Sequence, residues 1–131
     1  MKTTRITLSL AALLTLCAAA ADAQTRRDWL AGNWQGTAYQ TDENSTWAMR
    51  LDVRRGRFTA EYPSLDCAGE WRLVSRTRWR ARLTETITRN PDRCEPRGNV
   101  TLLRLGGGQL LYLYSYTNSR KVIASAVLNR K

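Results

Sequence analysis

Histidine is missing from this sequence altogether, and that one absence removes most of the covalent chemistry open to a small protein. Ser-His and Cys-His nucleophilic pairs need an imidazole to take the nucleophile's proton. Cysteine is scarce as well, with 3 in the chain, so neither a Cys2His2 nor a four-thiolate zinc site can be assembled. Acidic residues number 11 against 21 basic ones, proline 3 and phenylalanine 1. Outside the N-terminus no continuous apolar run is long enough to span a bilayer. These absences turn attention from catalysis towards binding.

The exception is the N-terminus itself. Residues 1–23 read MKTTRITLSLAALLTLCAAAADA, with Lys2 and Arg5 ahead of an apolar stretch and small residues around Asp22. This is the pattern of a secretory signal peptide cleaved before Gln24. The stretch from Ile6 to Ala21 is interrupted by Thr and Ser and is short for a membrane anchor. Leu16 stands before Cys17 where lipid attachment calls for a small residue. Removing the leader takes away one net positive charge of the total of +10 and leaves residues 24–131 as a single basic domain, periplasmic or extracellular. Lys2, Lys121 and Lys131 are the only lysines among the 21 basic residues; arginine supplies the rest.

Cys67 and Cys94 survive cleavage, and an exported pair is expected to form a disulfide. Closing that loop is worth roughly 3 to 4 kcal/mol on the chain-entropy estimate, a large share of a small domain's stability. No metal and no cofactor is expected.

What the chain has in quantity is period-two alternation, the signature of half-buried strands. Trp47, Met49, Leu51 and Val53 share one face, then Phe58, Ala60 and Tyr62, then Trp71 and Leu73. Trp79, Ala81, Leu83 and Ile87 follow, then Val100 and Leu102, then Leu110, Tyr112, Tyr114 and Tyr116, and last Val122, Ala124, Ala126 and Leu128. With GNWQGTAYQ at the start, the pattern gives about eight strands. The connections, among them TDENS, RRG, PSLDCAG, SRT, RNPDRCEPRG, GGG and TNSR, are short and rich in turn formers. Short links between consecutive strands make an antiparallel meander, predicting an all-β up-and-down barrel. Cys67 falls in the third connection and Cys94 in the fifth, which a meander brings to the same end. Pro63, lacking a ladder N–H, ends the third strand, and Gly69 is expected to permit the tight return.

Two resemblances support this architecture. GNW, with Gly32 and Trp34, resembles the G-x-W signature on the first strand of lipocalins and related calycins. That likeness implies that Trp34 plugs one end of the barrel and that Arg130 packs on it. YPSLDCAG, followed by ETI, a second cysteine and G-x-V-x-L at Gly98 to Leu102, resembles a pattern of small exported bacterial proteins, also seen in extracytoplasmic regions of some bacterial Ser/Thr kinases. It covers residues 32–130 and implies export and fold, not an activity.

The remaining polar residues sort as follows. Asp66, Glu70, Asp92 and Glu95 gather near the cysteines and read as solvated loop charges rather than as a glycosidase acid-base pair. Gly106 to Gly108 lacks the following Lys-Ser/Thr of a phosphate loop and reads as a hairpin turn. Glu85 is in phase with Ala81 and Leu83 and so points inward; a buried carboxylate needs a partner, and Arg104, in phase with Leu102, is the candidate. Its bland role is a structural ion pair and its sharper one is to read a ligand. On the outside, Arg78, Arg80 and Arg82 form a ladder beside Arg72, a concentrated positive field. Arginines and aromatics alternate to opposite faces, which disfavours nucleic acid.

The sequence thus predicts a non-enzymatic binding protein of the bacterial envelope. The first expectation is a module that engages an envelope protein or acidic surface through Arg72, Arg78, Arg80 and Arg82, of the inhibitor or immunity type. The second is a calycin-like carrier or sensor of a small apolar ligand, its interior lined by Trp47, Trp71, Trp79, Tyr112 and Tyr114 with Glu85 and Arg104. So many inward aromatics on short strands leave little empty volume, which favours the first; a measured cavity discriminates between them.

Overall fold

The computed structural model describes residues 28–131; the expected leader and its cleavage point lie outside them. Eight strands follow the alternation: β1 Gly32–Gln40, β2 Ser45–Arg54, β3 Arg57–Tyr62, β4 Cys67–Arg76, β5 Arg80–Arg89, β6 Arg97–Leu105, β7 Gln109–Tyr116 and β8 Ala124–Arg130. Each pairs antiparallel with the next, and β1 also pairs with β8, closing the barrel in simple sequence order. The up-and-down barrel predicted from the alternation is the fold observed. No helix among the described residues is long and apolar enough to cross a membrane.

Successive side chains on a strand point to opposite faces, so the alternating apolar residues fill the interior. Met49, Leu51, Phe58, Ala60, Leu83, Val100, Leu102, Leu110 and Leu128 are all buried there. The turns have the chemistry the tightest reversals need. Arg55 and Gly56 both take positive φ, 52° and 75°, the pair of left-handed residues that a two-residue hairpin with native twist requires.

The two ends of the barrel differ. At the end holding the β1 start, the 55–56, 77–79 and 106–108 turns and the C-terminus, residues 28–31 fold across the opening. Leu30 and Trp29 are buried, and the Trp29 indole N–H donates to the Thr77 carbonyl at 3.3 Å. Beneath them Trp34 is only 2% exposed and donates its indole N–H to the Leu30 carbonyl at 2.9 Å. The Arg130 guanidinium lies 4.3 Å from the centre of the Trp34 ring, donating to the carbonyls of Ala31 and, at 3.3 Å, Trp29. Gly32 is favoured here by its φ of +127°, and a Cβ would stand 2.7 Å from Arg130 Nη1, displacing the guanidinium from its place.

The opposite end carries the disulfide. Cys67, which is the first residue of β4, joins Cys94 across a sequence separation of 27 with Cα atoms 6.5 Å apart. The same two connections are tied by Asn90 Nδ2, which donates to the Asp66 carbonyl at 2.8 Å, and by an exposed Arg93–Asp66 ion pair at 3.7 Å. The return after Tyr62 is made by a 3-10 turn, Pro63–Leu65, ended by Asp66 in the left-handed conformation. Gly69 is not part of that turn. It sits within β4 beside a register shift, where a Cβ would press to 2.8 Å from the Thr86 carbonyl oxygen.

Several expected interior positions lie outside. Trp79 is 59% exposed, because the Thr77 hydroxyl accepts the N–H groups of Trp79 and Arg80 at 3.2 and 3.1 Å and fixes a three-residue turn ahead of the first residue of β5. The space it was expected to fill holds Trp29, Leu30 and Trp34. Leu73 is exposed where β4 meets its second register shift. Val122 is exposed because β8 begins only at Ala124; Ile123 is the buried residue of that connection.

Since Trp34 fills the closed end, Trp34→Ala should lower unfolding stability by about 3 to 5 kcal/mol. Urea denaturation measures it, with the exposed Val127→Ala as the control. A loss below about 1 kcal/mol would mean that the closed end does not depend on this side chain.

Candidate functional site

Trp29, Leu30 and Trp34 are buried across the closed end, but the disulfide end is open. A cavity of about 350 Å³ opens between the strands there, lined by Trp47, Tyr62, Ile87, Tyr112, Tyr114 and Tyr116, with Glu85 in its wall. Its mouth carries Glu43, Leu65, Asp92, Arg93, Cys94 and Glu95. The expectation of a filled interior therefore holds for one half of the barrel only. The inward aromatics do not exclude volume at the disulfide end because they stack along the wall. Tyr112 stacks on Trp71 at 5.8 Å and on Tyr114 at 6.5 Å, and Tyr116 meets Tyr114 edge-on at 6.2 Å.

Glycine makes this stack possible. In the sheet Glu85 stands opposite Gly98, and the Tyr114 ring lies across Gly98 so closely that a Cβ there would come within 2.2 Å of it. The Tyr114 hydroxyl donates to the Arg97 carbonyl at 3.3 Å. The glycine that opens G-x-V-x-L thus leaves Tyr114 room to lie flat on the wall.

Glu85 is 4% exposed and is directed inward, as its phase on β5 requires. Its partner is not Arg104. Arg104 pairs with Leu110 across the sheet, near the closed end and past the last buried residue of β6, Leu102. It is exposed, with its guanidinium 5.7 Å from the Trp79 ring. Two neutral donors reach Glu85 instead: the Tyr62 hydroxyl and, at 2.5 Å, the Trp71 indole N–H, both donating to Oε2. Among the described residues no donor reaches Oε1 and no cation faces this carboxylate. Burial raises its pKa above the ordinary carboxylate value, and the two donors only partly oppose that rise. Burial likewise lifts the hydroxyls of Tyr62 and Tyr112 well above the ordinary phenol value.

One polar group of the wall is both buried and unsatisfied. The indole N–H of Trp47, on the cavity wall, is buried and has no hydrogen-bond partner. A buried donor without an acceptor costs about 1 to 3 kcal/mol. At the mouth, Tyr116 donates to Asp42 Oδ2 and Gln40 to Asp42 Oδ1, each at 2.7 Å. The Tyr116 hydroxyl holds its proton up to about 12, chiefly through that bond, which also draws the Asp42 carboxyl below its usual range.

The sequence-derived residues therefore fall into two groups. Trp47, Glu85, Tyr112 and Tyr114 share the cavity wall, with Trp71 behind it bonded to Glu85. Trp79 and Arg104 belong to the outer surface near the closed end. Alternation alone missed Tyr62 as the partner of Glu85, although its phase on β3 was legible. Asp92 and Glu95, read as loop charges, stand at the cavity mouth, whereas Glu70 is on the outer face of β4, 3.4 Å from Arg57.

Arg72, Arg80 and Arg82 are exposed on the outer wall, where Arg72 pairs with Thr84 and Arg82 with Ser75. Arg78 lies in the turn, its guanidinium 5.7 Å from the Trp79 ring. Among the described residues none of the four is in an ion pair. No group of histidine, cysteine and carboxylate side chains able to hold a metal occurs among the described residues.

The chain matches no protein-family model, no curated protein and no solved structure.

The raised pKa of Glu85 sets a pH dependence. An acid whose folded pKa exceeds its unfolded one stabilises the fold fully below the unfolded value, here 4.5, and that contribution is lost as pH rises through the folded pKa. Wild-type stability should therefore decline relative to Glu85→Gln as pH rises from about 4.5. Thermal melts across pH 4 to 8 read this; parallel curves for the two proteins would show that Glu85 does not titrate abnormally.

Proposed function

We propose that this protein is an exported barrel of the bacterial envelope that binds a small molecule in the half of its interior next to the disulfide, as a carrier or sensor rather than an enzyme. The observation that carries this reading is the cavity. Small-molecule sites are concave, mostly apolar spaces of roughly 300 to 1,000 Å³ with a few placed polar groups, and the volume of about 350 Å³ walled by Trp47, Tyr62, Ile87, Tyr112 and Tyr114 has that character. Glu85 and the Trp47 indole N–H are the polar groups. The disulfide, Asn90 and Arg93 hold the two connections at the mouth in place, so the opening is preformed. Export is supported by the N-terminal pattern of residues 1–23 and by the Cys67–Cys94 bond.

A second reading keeps a protein partner, and the surface near the closed end favours it. Trp79 stands exposed between the guanidiniums of Arg78 and Arg104, close in sequence to Arg80 and Arg82. Exposed tryptophan and arginine are the side chains that dominate protein interfaces. An acidic partner protein is the occupant this surface suits.

The two readings separate on one reporter. N-phenyl-1-naphthylamine should bind the wild-type protein saturably at one site with rising fluorescence. Ile87→Trp, which fills the cavity, should abolish binding, and the variant with Arg78, Arg80 and Arg82 changed to Gln should bind normally. Absence of saturable binding, or equal binding by Ile87→Trp, would sink the cavity reading. If the arginine variant instead slows association with a partner captured from envelope extract, and added salt has the same effect, the second reading stands.

A further inference from the structure

The protein carries a net charge of +10, yet the cavity is acidic. Four of the 11 acidic residues, Glu43, Glu85, Asp92 and Glu95, line it or its mouth, and Arg93 is the only basic residue there. A site for an anion would reverse that ratio, and a site for a neutral apolar molecule has no use for a carboxylate buried in its wall. Desolvating a carboxylate is costly unless a cation or several donors compensate. Here Tyr62 and Trp71 donate to Oε2 alone, and Oε1, which has no donor among the described residues, keeps contact with solvent. Around it stand Trp47, Tyr62, Tyr112 and Tyr114. Aromatic faces carry negative potential and attract cations, most strongly where water is excluded. The Trp47 indole N–H, buried and unpartnered, is the complementary feature, since it calls for an acceptor on whatever enters.

From this arrangement we infer that the ligand is a small organic ammonium ion, its cationic head held at Glu85 Oε1 between the aromatic walls and a hydrogen-bond acceptor on its body meeting the Trp47 indole N–H. The inference rests on the cavity-binding reading and adds the chemical class of the ligand. The head group neutralises the buried charge, and the rings supply contact that hydrated metal ions cannot exploit. The acids at the mouth favour entry of a cation at short range. An amino sugar, an amino alcohol or a quaternary amine has the required chemistry; an inorganic cation or a fatty acid does not.

Phenyltrimethylammonium, a permanent cation, and tert-butylbenzene, its neutral isostere, test the claim by displacing N-phenyl-1-naphthylamine. The cation should displace the reporter from wild-type protein at a concentration about tenfold lower than the isostere. In Glu85→Gln that preference should vanish through weaker cation binding, with the isostere changed less than about twofold. Should Glu85→Gln fail to fold, the wild-type protein supplies the test through pH. Cation affinity should fall as pH drops and Glu85 takes up its proton, while the isostere stays level. Tyr62 from β3 and Tyr112 and Tyr114 from β7 face the same carboxylate, but their raised pKa values keep them neutral throughout. Of the mouth groups Glu43, Asp92, Arg93 and Glu95, the three acids are separated from Glu85 by replacing them together with their amides; in that variant cation affinity should still fall as pH drops. Equal displacement by cation and isostere, or a preference that persists in Glu85→Gln, overturns the ammonium inference while leaving the cavity reading intact. Failure of the reporter itself to bind overturns the cavity reading and this inference with it.

Discussion

The seam between β1 and β8 is the constraint on which the molecule depends. A meander of eight strands has two free edges until its first and last strands meet, and open edges are both unstable and sticky. Here they meet with Trp34 opposite Arg130 and Tyr39 opposite Ser125. Gly36 allows the close approach between them, since a Cβ there would reach 2.4 Å from the Val127 carbonyl oxygen. The Arg130 guanidinium then covers the Trp34 ring and donates to the carbonyls of residues 29 and 31. One side chain thereby joins the last strand, the first strand and the N-terminal turn. With that end sealed by Trp29, Leu30 and Trp34, the cavity beside Glu85 opens at the other end, and the disulfide is placed where it steadies the opening.

The interior accordingly divides into two kinds of packing. Around Leu51, Leu83, Leu102, Leu110 and Leu128, aliphatic side chains interdigitate and stabilise the fold through burial. Nearer the disulfide, aromatic rings line the wall, the Trp47 indole N–H is buried without a partner, and Glu85 is buried with neutral donors on Oε2 alone. An apolar side chain at position 85 would remove the cost of burying a carboxylate, although Tyr62 and Trp71 would then lose their acceptor. The strain therefore sits in one small region and is compensated by the rest of the barrel. Departures of this kind from local consistency concentrate at functional or strained sites.

Much of this was legible in the sequence, and the parts that were not share a cause. Alternation is a local signal, so it located eight strands, the inward phase of Glu85 and the shared end of Cys67 and Cys94. It carries no information on where along the barrel axis a strand stops being inside. Trp79 and Arg104 have the inward phase but lie past the filled end, and Leu73 lies at a register shift that alternation cannot foresee. The pairing of Glu85 with Arg104 failed for the same reason: they share neighbouring strands, but Glu85 stands opposite Gly98 and Arg104 opposite Leu110. Only the register showed that Trp71, directly across from Glu85 on β4, was the nearer donor. The cavity was illegible because counting aromatic residues gives their volume but not whether they stack along a wall or cross the interior.

The opposition between a basic exterior and an acidic interior bears on how two binding events could share one small domain. Charges on the outer wall are screened over about 8 Å at physiological ionic strength, so Arg72, Arg80 and Arg82 act on large acidic surfaces that touch them. Their reach into a cavity that opens at one end and is walled by rings is short. The carboxylates at the mouth and Glu85 within then set the local potential for anything small enough to enter. A macromolecular anion is too large for the opening, and a small anion meets Glu43, Asp92 and Glu95 before it meets Glu85. On the two proposed readings, size and charge would sort ligands in the same sense, acidic macromolecules to the outer arginines and small cations to the interior. Because Trp79 and Glu85 lie towards opposite ends of the barrel, the two sites share no direct contact; β5, which carries Arg80, Arg82 and Glu85, and β6, which carries Arg104 and Gly98, are the strands that run between them.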